Sequence, residues 1–249
     1  MQAGDRAGGG QVFRAVAAEV AAAQGRSTGA APAVLDVGGG SGAWAVPLAR
    51  LGCAVTVVDH SPNALAALQR RAREAGVAEL VTAVQGDVDA LAEVVPSGGA
   101  DLVLGHGLLE VVDDAVAAVR ALAAASRPGG AVSVLVTGRL AAVLARTIAG
   151  RLAEARALLL DPEGRLGDRD GVRRRLDAGP LRTLLADAGL EVELLQGDGV
   201  LESWVPGSVR DDGPATAGLV TELEALGAGE PGLLAVAPRL HALARRPAG

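Results

Sequence analysis

The sequence predicts an α/β fold built on a doubly wound, mainly parallel sheet, on three observations. Short Val-rich runs alternate with Ala- and Leu-rich segments of helical spacing between Ala33 and Val136. The first run, Ala33 to Val37, breaks into Gly38-Gly39-Gly40-Ser41-Gly42 just before a helical segment. The second, Ala54 to Val58, ends at Asp59, roughly 20 residues beyond the first strand, where a carboxylate can serve a ligand.

The elements follow in order. After a Gly-rich start at Met1 to Gly10, Gln11 to Gln24 reads as an Ala/Val helix and Gly25 to Ala31 as a linker. Ala43 to Leu51 has helical spacing, and Pro62 to Ala75 has it with proline in the first turn, where a missing N–H costs nothing. Leu80 to Val84, Asp101 to Leu104 and Ala131 to Val136 are further strands, Ala115 to Ala125 is a helix, and Arg127-Pro128-Gly129-Gly130 is a turn ahead of the last strand. Between Gly138 and Ala178 the rhythm changes to a long Leu/Ala/Arg helix reaching about Leu160. A polar stretch follows, containing Asp161-Pro162-Glu163-Gly164 and Arg173-Arg174-Arg175. This reads as an insertion, a candidate lid at 138–178, within a single domain over 1–249 whose first 31 residues are the N-terminal helix and linker. A helix at Pro180 to Ala188, a strand at Leu190 to Leu195, a loop from Gly197 to Pro214, a helix at Thr216 to Leu226 and a final strand within Leu233 to Ala244 complete the pattern.

Composition narrows the function classes. The 249 residues carry 23 Lys+Arg against 29 Asp+Glu, a net charge of −6, with 50% hydrophobic residues. That supports a buried core and argues against gross nonspecific nucleic-acid affinity. All the basic residues are arginine, tyrosine is absent, and Ile148 and Asn63 stand alone of their kind. A GC-rich genome explains this skew, so arginine usage carries no functional weight by itself. The single Cys53 precludes an internal disulfide, and no His or carboxylate cluster has metal-ligand spacing, so no metal is expected. Apolar stretches are interrupted before the ~18 to 20 residues a bilayer requires, and no leader pattern is visible. No membrane partner is expected, and the expected location is cytoplasmic.

The chemistry concentrates at strand ends. Gly38, Gly40 and Gly42 let the backbone approach a ligand closely. Asp36 ends the strand before them, Asp59 can accept both hydroxyls of a ribose, and Asp87 of Gly86-Asp87 can take the exocyclic amine of an adenine. The looser dinucleotide pattern Gly38-x-Gly40-x-x-Ala43 is also met, but an acid two positions before the first glycine is foreign to it. His106 ends the fourth strand at the rim where ligands gather. His60 and His241 lack such placement and read as surface or packing residues, as does Trp44.

These blocks, with the Arg127 to Gly130 turn, resemble the class I S-adenosylmethionine-dependent methyltransferases. The resemblance implies a Rossmann-like seven-stranded sheet ending in an antiparallel pair, with a helical insertion after the fifth strand. LGHGLLEVVDD at Leu104 to Asp114 and the segment Glu222 to Pro247 are most similar to the tRNA 5-carboxymethoxyuridine methyltransferases, which esterify the carboxylate of a wobble uridine. By position, the resemblance implies S-adenosyl-L-methionine as cofactor, with Arg14 at its carboxylate, Gly38 and Gly39 along its methionine portion, Asp59 at its ribose, and Gly86 and Asp87 at its adenine. Asp36, Gly40 and Gly42 complete the cofactor set, and His106 sits by the cofactor near the transfer site.

A carboxylate acceptor is already an anion, so transfer asks for proximity and desolvation rather than a base. An amine or phenol would need deprotonation, with His106 or Glu110 as first candidates. If tRNA is the partner, Arg173, Arg174 and Arg175, with Arg165, Arg169 and Arg182, are the candidates for its phosphates and Trp204 for stacking a flipped base. A small-metabolite methyltransferase and a noncatalytic cofactor- or RNA-binding module are the rival readings.

Overall fold

Alternation within each strand decides where the core sits. A computed structural model describes residues 10–26, 29–167, 170–210 and 213–248. Its seven strands are β1 (Ala33–Val37), β2 (Ala54–Asp59), β3 (Val81–Gln85), β4 (Ala100–His106), β5 (Ser126–Thr137), β6 (Glu191–Asp198) and β7 (Arg239–Arg245). They form one sheet in the order β3-β2-β1-β4-β5-β7-β6. The first five are parallel, while β7 runs antiparallel to both β5 and β6.

Side chains of one parity, Val34, Val55, Val57, Leu102, Leu104 and Leu135, pack under α1 (Gln11–Arg26), α2 (Ala45–Arg50) and α3 (Pro62–Glu74). Those of the other parity, Leu35, Val58, Val103, Val132, Val134 and Leu240, pack under α4 (Leu91–Val94), α5 (Ala115–Ala125) and α8 (Ala178–Asp187). With helices on both faces, the central strands are largely apolar on both sides, as parallel sheets require, with Asp36 and Ser133 among the buried polar exceptions. Local chemistry sets the helix starts. Ser61 caps α3, its hydroxyl accepting from Ala64 N at 3.3 Å, and Asp114 caps α5, accepting from Ala117 N at 2.9 Å.

Several elements differ from their sequence expectations. The Arg127–Gly130 segment is absorbed into β5 because Arg127 pairs with the buried Asp101 at 2.6 Å and Gly129 N–H donates to Arg246 O at 2.9 Å. The expected single long helix splits into α6 (Arg139–Ile148) and α7 (Leu152–Leu160), since Gly150 turns the chain at φ +72. After β6 come α9 (Gly207–Arg210), α10 (Pro214–Gly227) and α11 (Pro231–Leu234), and the last of these occupies the start of what reads in sequence as a final strand. Among the described residues no helix is long and apolar enough to cross a membrane.

Candidate functional site

The strand order reverses between β1 and β4, and ligand sites form in the crevice at the carboxyl ends there. A cavity of about 810 Å³ opens at that point. Its floor holds Asp36, Gly38, Gly39, His106, Gly107, Glu110 and Leu135, one wall holds Trp44 and Arg71, and α1 and α10 close it with Phe13, Arg14, Val220 and Thr221. The roof is tied across: Gln11 Nε2 donates to Glu224 O at 2.6 Å. The buried Glu224 carboxylate accepts from Val200 N, Leu201 N and Glu202 N at 2.6, 2.8 and 3.0 Å.

The glycine loop is shaped by contacts that only glycine tolerates. Gly38, Gly40 and Gly42 have φ of +72, +56 and +80. Gly39 has ordinary φ, but a Cβ there would lie 2.4 Å from Asp36 Oδ2 and 2.9 Å from Val57 Cγ1. Gly38 N donates to Val58 O at 2.8 Å, and the Asp59 carboxylate accepts from Gly40 N at 2.9 Å and Ser61 N at 2.8 Å. Asp59 therefore binds the loop to β2 and keeps a second lone pair on each oxygen. Asp36, 1% exposed, has no partner at Oδ2. Burial, with the Asp59 charge next in weight, pushes its carboxyl up to about 7.

Of the residues expected at the cofactor, Arg14, Asp36, Gly38, Gly39 and His106 line the cavity together. Gly40 and Gly42 shape the loop just outside the lining, and Gly86 N–H donates to Asp59 O at 3.2 Å on the same edge. Asp87 is exposed at the end of β3, its carboxylate accepting from Asp89 N at 3.3 Å. His106 Nε2 lies 2.8 Å from Ser133 Oγ, and its ring meets Trp44 edge-on at 4.4 Å between centroids. Burial, with His241 and Arg239 nearby, holds the His106 imidazole well below its ordinary range, so it is neutral. Glu110 accepts from Thr137 N at 3.1 Å and Thr137 Oγ1 at 2.7 Å, and burial raises its carboxyl.

The arginine run expected at phosphates is otherwise engaged. Arg175 is 3% exposed, pairs with Asp170 at 2.7 Å and donates to Gly164 O at 2.8 Å. Arg174 donates to the carbonyls of Leu109, Val112 and Asp113 at 2.8, 2.6 and 2.7 Å, and Arg173 pairs with Asp113. The carbonyls after β4 hold Arg174 and the nearby Asp170 holds the buried Arg175, while Arg173 and Asp113 pair at the surface. Arg165 pairs with Glu163, and Arg169 lies outside the described residues. Trp204 is 53% exposed and does not line the cavity, nor does any described residue of 138–178, although Arg173 N–H donates to the O of the lining residue Glu110 at 2.7 Å.

Several lining residues escape a reading by motif. Trp44 has a signal, its place directly after the glycine loop. Asp198, Arg210 and Arg239 have none, because they arrive from β6, β7 and α9, with Arg239 paired to Asp198. His241, expected at the surface or in packing, is a packing residue, wholly buried and hydrogen-bonded. Among the described residues no three of His, Cys, Asp and Glu are grouped to hold a metal ion.

Residues 34–130 match the Methyltransferase domain family. The chain is 34% identical over 164 residues to a ubiquinone biosynthesis O-methyltransferase of Xanthomonas axonopodis pv. citri, covering 66% of this chain and 64% of that protein. The same identity holds over 172 residues with the Xanthomonas campestris pv. campestris (strain B100) protein of that name, covering 69% and 67%. The chain thus spans just under two thirds of the length of the first of these relatives. A solved S-adenosylmethionine-dependent methyltransferase from Methanosarcina mazei superposes with a TM-score of 0.61 at 15% identity, covering 88% of this chain and 94% of that one. Together with the seven-stranded sheet, these matches place the chain in the class I methyltransferases that use S-adenosyl-L-methionine as cofactor.

Proposed function

We propose that this chain methylates an oxygen of a small molecule enclosed between the glycine loop and α10. The observation that carries the reading is the roofed cavity of about 810 Å³, which joins the loop to His106, Glu110 and Arg239 in one space. Cavities of roughly 300 to 1,000 Å³ suit enclosed small ligands. The names of the Xanthomonas relatives, O-methyltransferases of ubiquinone biosynthesis, support a small acceptor.

The residues fit the cofactor. Gly39 leaves room where a Cβ would collide, Asp36 keeps an unpartnered buried oxygen for a cationic group, and the Asp59 oxygens retain acceptor capacity for a diol. In this reading Arg14 binds the cofactor carboxylate, Gly38, Gly39, Gly40 and Gly42 flank its methionine portion, and Gly86 and Asp87 border its adenine. The bound cofactor supplies a methyl group on a positively charged sulfur. The chain's own part is to hold the acceptor oxygen in line and dry, with Phe13, Trp44 and Leu135 excluding water and His106 contacting the acceptor.

The second reading, ester formation on a tRNA wobble carboxylate, has the resemblance at Leu104 to Asp114 and Glu222 to Pro247 in its favour. Against it stand the internal bonds of Arg173, Arg174 and Arg175. One assay separates the two: isotopically labelled S-adenosylmethionine offered to a panel of phenols and carboxylic acids and, separately, to bulk tRNA lacking the ester, with products identified by mass spectrometry. Label in a small-molecule methyl ether or ester is expected. Label in tRNA alone overturns the leading reading.

A further inference from the structure

A row of buried polar side chains crosses the sheet beneath the cavity, all on the face covered by α1 to α3. His106 Nε2 lies 2.8 Å from Ser133 Oγ, Ser133 Oγ 2.8 Å from His241 Nε2, and His241 Nδ1 3.0 Å from Gln196 Nε2. They come from β4, β5, β7 and β6, brought level by the register that sets His106 against Leu135, Leu135 against His241 and His241 against Gln196. Ser133 and His241 are fully buried and Gln196 nearly so. A polar chain this deep is costly unless each donor meets an acceptor.

The placement of the Gln196 amide, with Nε2 toward the His241 ring, sets its direction. An amide nitrogen only donates, so His241 Nδ1 accepts from Gln196. The neutral His241 then carries its proton on Nε2 and donates to Ser133 Oγ. The hydroxyl has one hydrogen, and it points to His106 Nε2, which accepts. The proton of the neutral His106 is therefore on Nδ1, an atom that is buried and without a protein partner on a side chain lining the cavity.

We propose that Gln196, His241 and Ser133 are positioning residues that fix His106 in its Nδ1–H form, so that His106 meets the acceptor as a hydrogen-bond donor and not as a base. The acceptor class this selects is one presenting an oxygen lone pair or an oxyanion to Nδ1. A phenol or acid must reach the transfer step deprotonated by something other than His106. This rests on the cavity being the transfer site, but its first test needs no substrate and so fails independently of that reading.

The chain has three histidines, which makes the test tractable. On the full-length protein labelled with ¹⁵N-histidine, long-range ¹H–¹⁵N spectra distinguish protonated from unprotonated ring nitrogens, and His60→Gln and His106→Asn assign the signals. The expected result is His106 protonated at Nδ1 and His241 at Nε2; the reverse pair overturns the proposal. Gln196→Glu, ionised at pH 8, accepts from His241 Nδ1 instead and should reverse both tautomers. It should also raise KM for the acceptor about tenfold, the scale of one lost hydrogen bond, with cofactor affinity within about twofold of wild type. Unchanged tautomers in a folded Gln196→Glu protein would also defeat the proposal. If that variant does not fold, the wild-type spectrum alone decides, and Ser133→Thr, which keeps the hydroxyl, should retain the wild-type tautomers while Ser133→Ala loses them.

Discussion

Asp36 is a carboxyl held in apolar surroundings with one oxygen unsatisfied, and its proton affinity follows from that. Its folded value of about 7 stands above the ordinary 3.8, so between those values the folded protein binds the proton more tightly than the unfolded chain does. Stability then falls as pH rises through that window and levels off above it. Asp36→Asn should remove the slope. Urea unfolding at pH 5 and pH 8 should show wild type losing about 2 kcal/mol relative to the variant. Cofactor binding to wild type should tighten from pH 6 to 8 as Asp36 ionises, measured by calorimetry, and the variant should show no such rise. At Gly39 the constraint is steric. Gly39→Ala places a methyl against Asp36 and Val57 and should cost about 1 to 3 kcal/mol of stability in the same unfolding experiment, with cofactor affinity down at least tenfold. The loop glycines and Asp59 were legible in the sequence because their constraint is local: a tight turn, a strand end, a spacing. Arg239 and His241 were not, because their role comes from antiparallel pairing that brings β7 beside β5, and nothing within their own segment records it.

Among the elements, the segment after α7 shows how charge patterns mislead. Three consecutive arginines read as a basic patch, yet Arg175 is internal and Arg174 satisfies three carbonyls. Acids and carbonyls outside the run, the nearby Asp170 and the distant Asp113 and Leu109, determine where such side chains go, and a run of like charges carries no information about them. Arg175→Met should destabilise the protein by about 3 kcal/mol, because it strands Asp170 beside an apolar replacement, as a urea midpoint shift should show. Cofactor affinity should stay unchanged, since this segment does not line the cavity. The break between α6 and α7 was missed for a related reason. Apolar periodicity runs on through Gly150, and only its positive φ ends the helix.

For the molecule as a whole, alternation of strand and helix predicted the layers, and the strand count and final antiparallel pair followed from the family resemblance. The sheet is covered on both faces, so stability and ligand binding are linked through the cavity that α1 and α10 close. A ligand bound to the folded state at 100 times its Kd stabilises it by about 2.7 kcal/mol. For a chain of this size that is roughly 5 to 10 °C in Tm. S-adenosylhomocysteine at that excess should give this shift by calorimetry, and the shift should vanish in Asp59→Ala if that carboxylate holds the ribose.

The place of β7 has a consequence for the order in which the molecule comes into being. β7 is threaded between β5 and β6, so β6 has no neighbour in the sheet until β7 arrives, whereas β1 to β5 can pair beforehand. Long-range closures of this kind come late, because the entropy of the loop has to be lost before the contacts form. Arg239 and His241 ride on β7, so a refolding chain should gain amide protection across β1 to β4 first and recover methyl transfer only when residues 239–245 become protected, as pulsed hydrogen exchange sampled alongside activity would reveal. The strand that closes the sheet also brings Arg239 to the cavity lining, and a chain stalled before that closure would have its glycine loop in place with no working transfer site beside it.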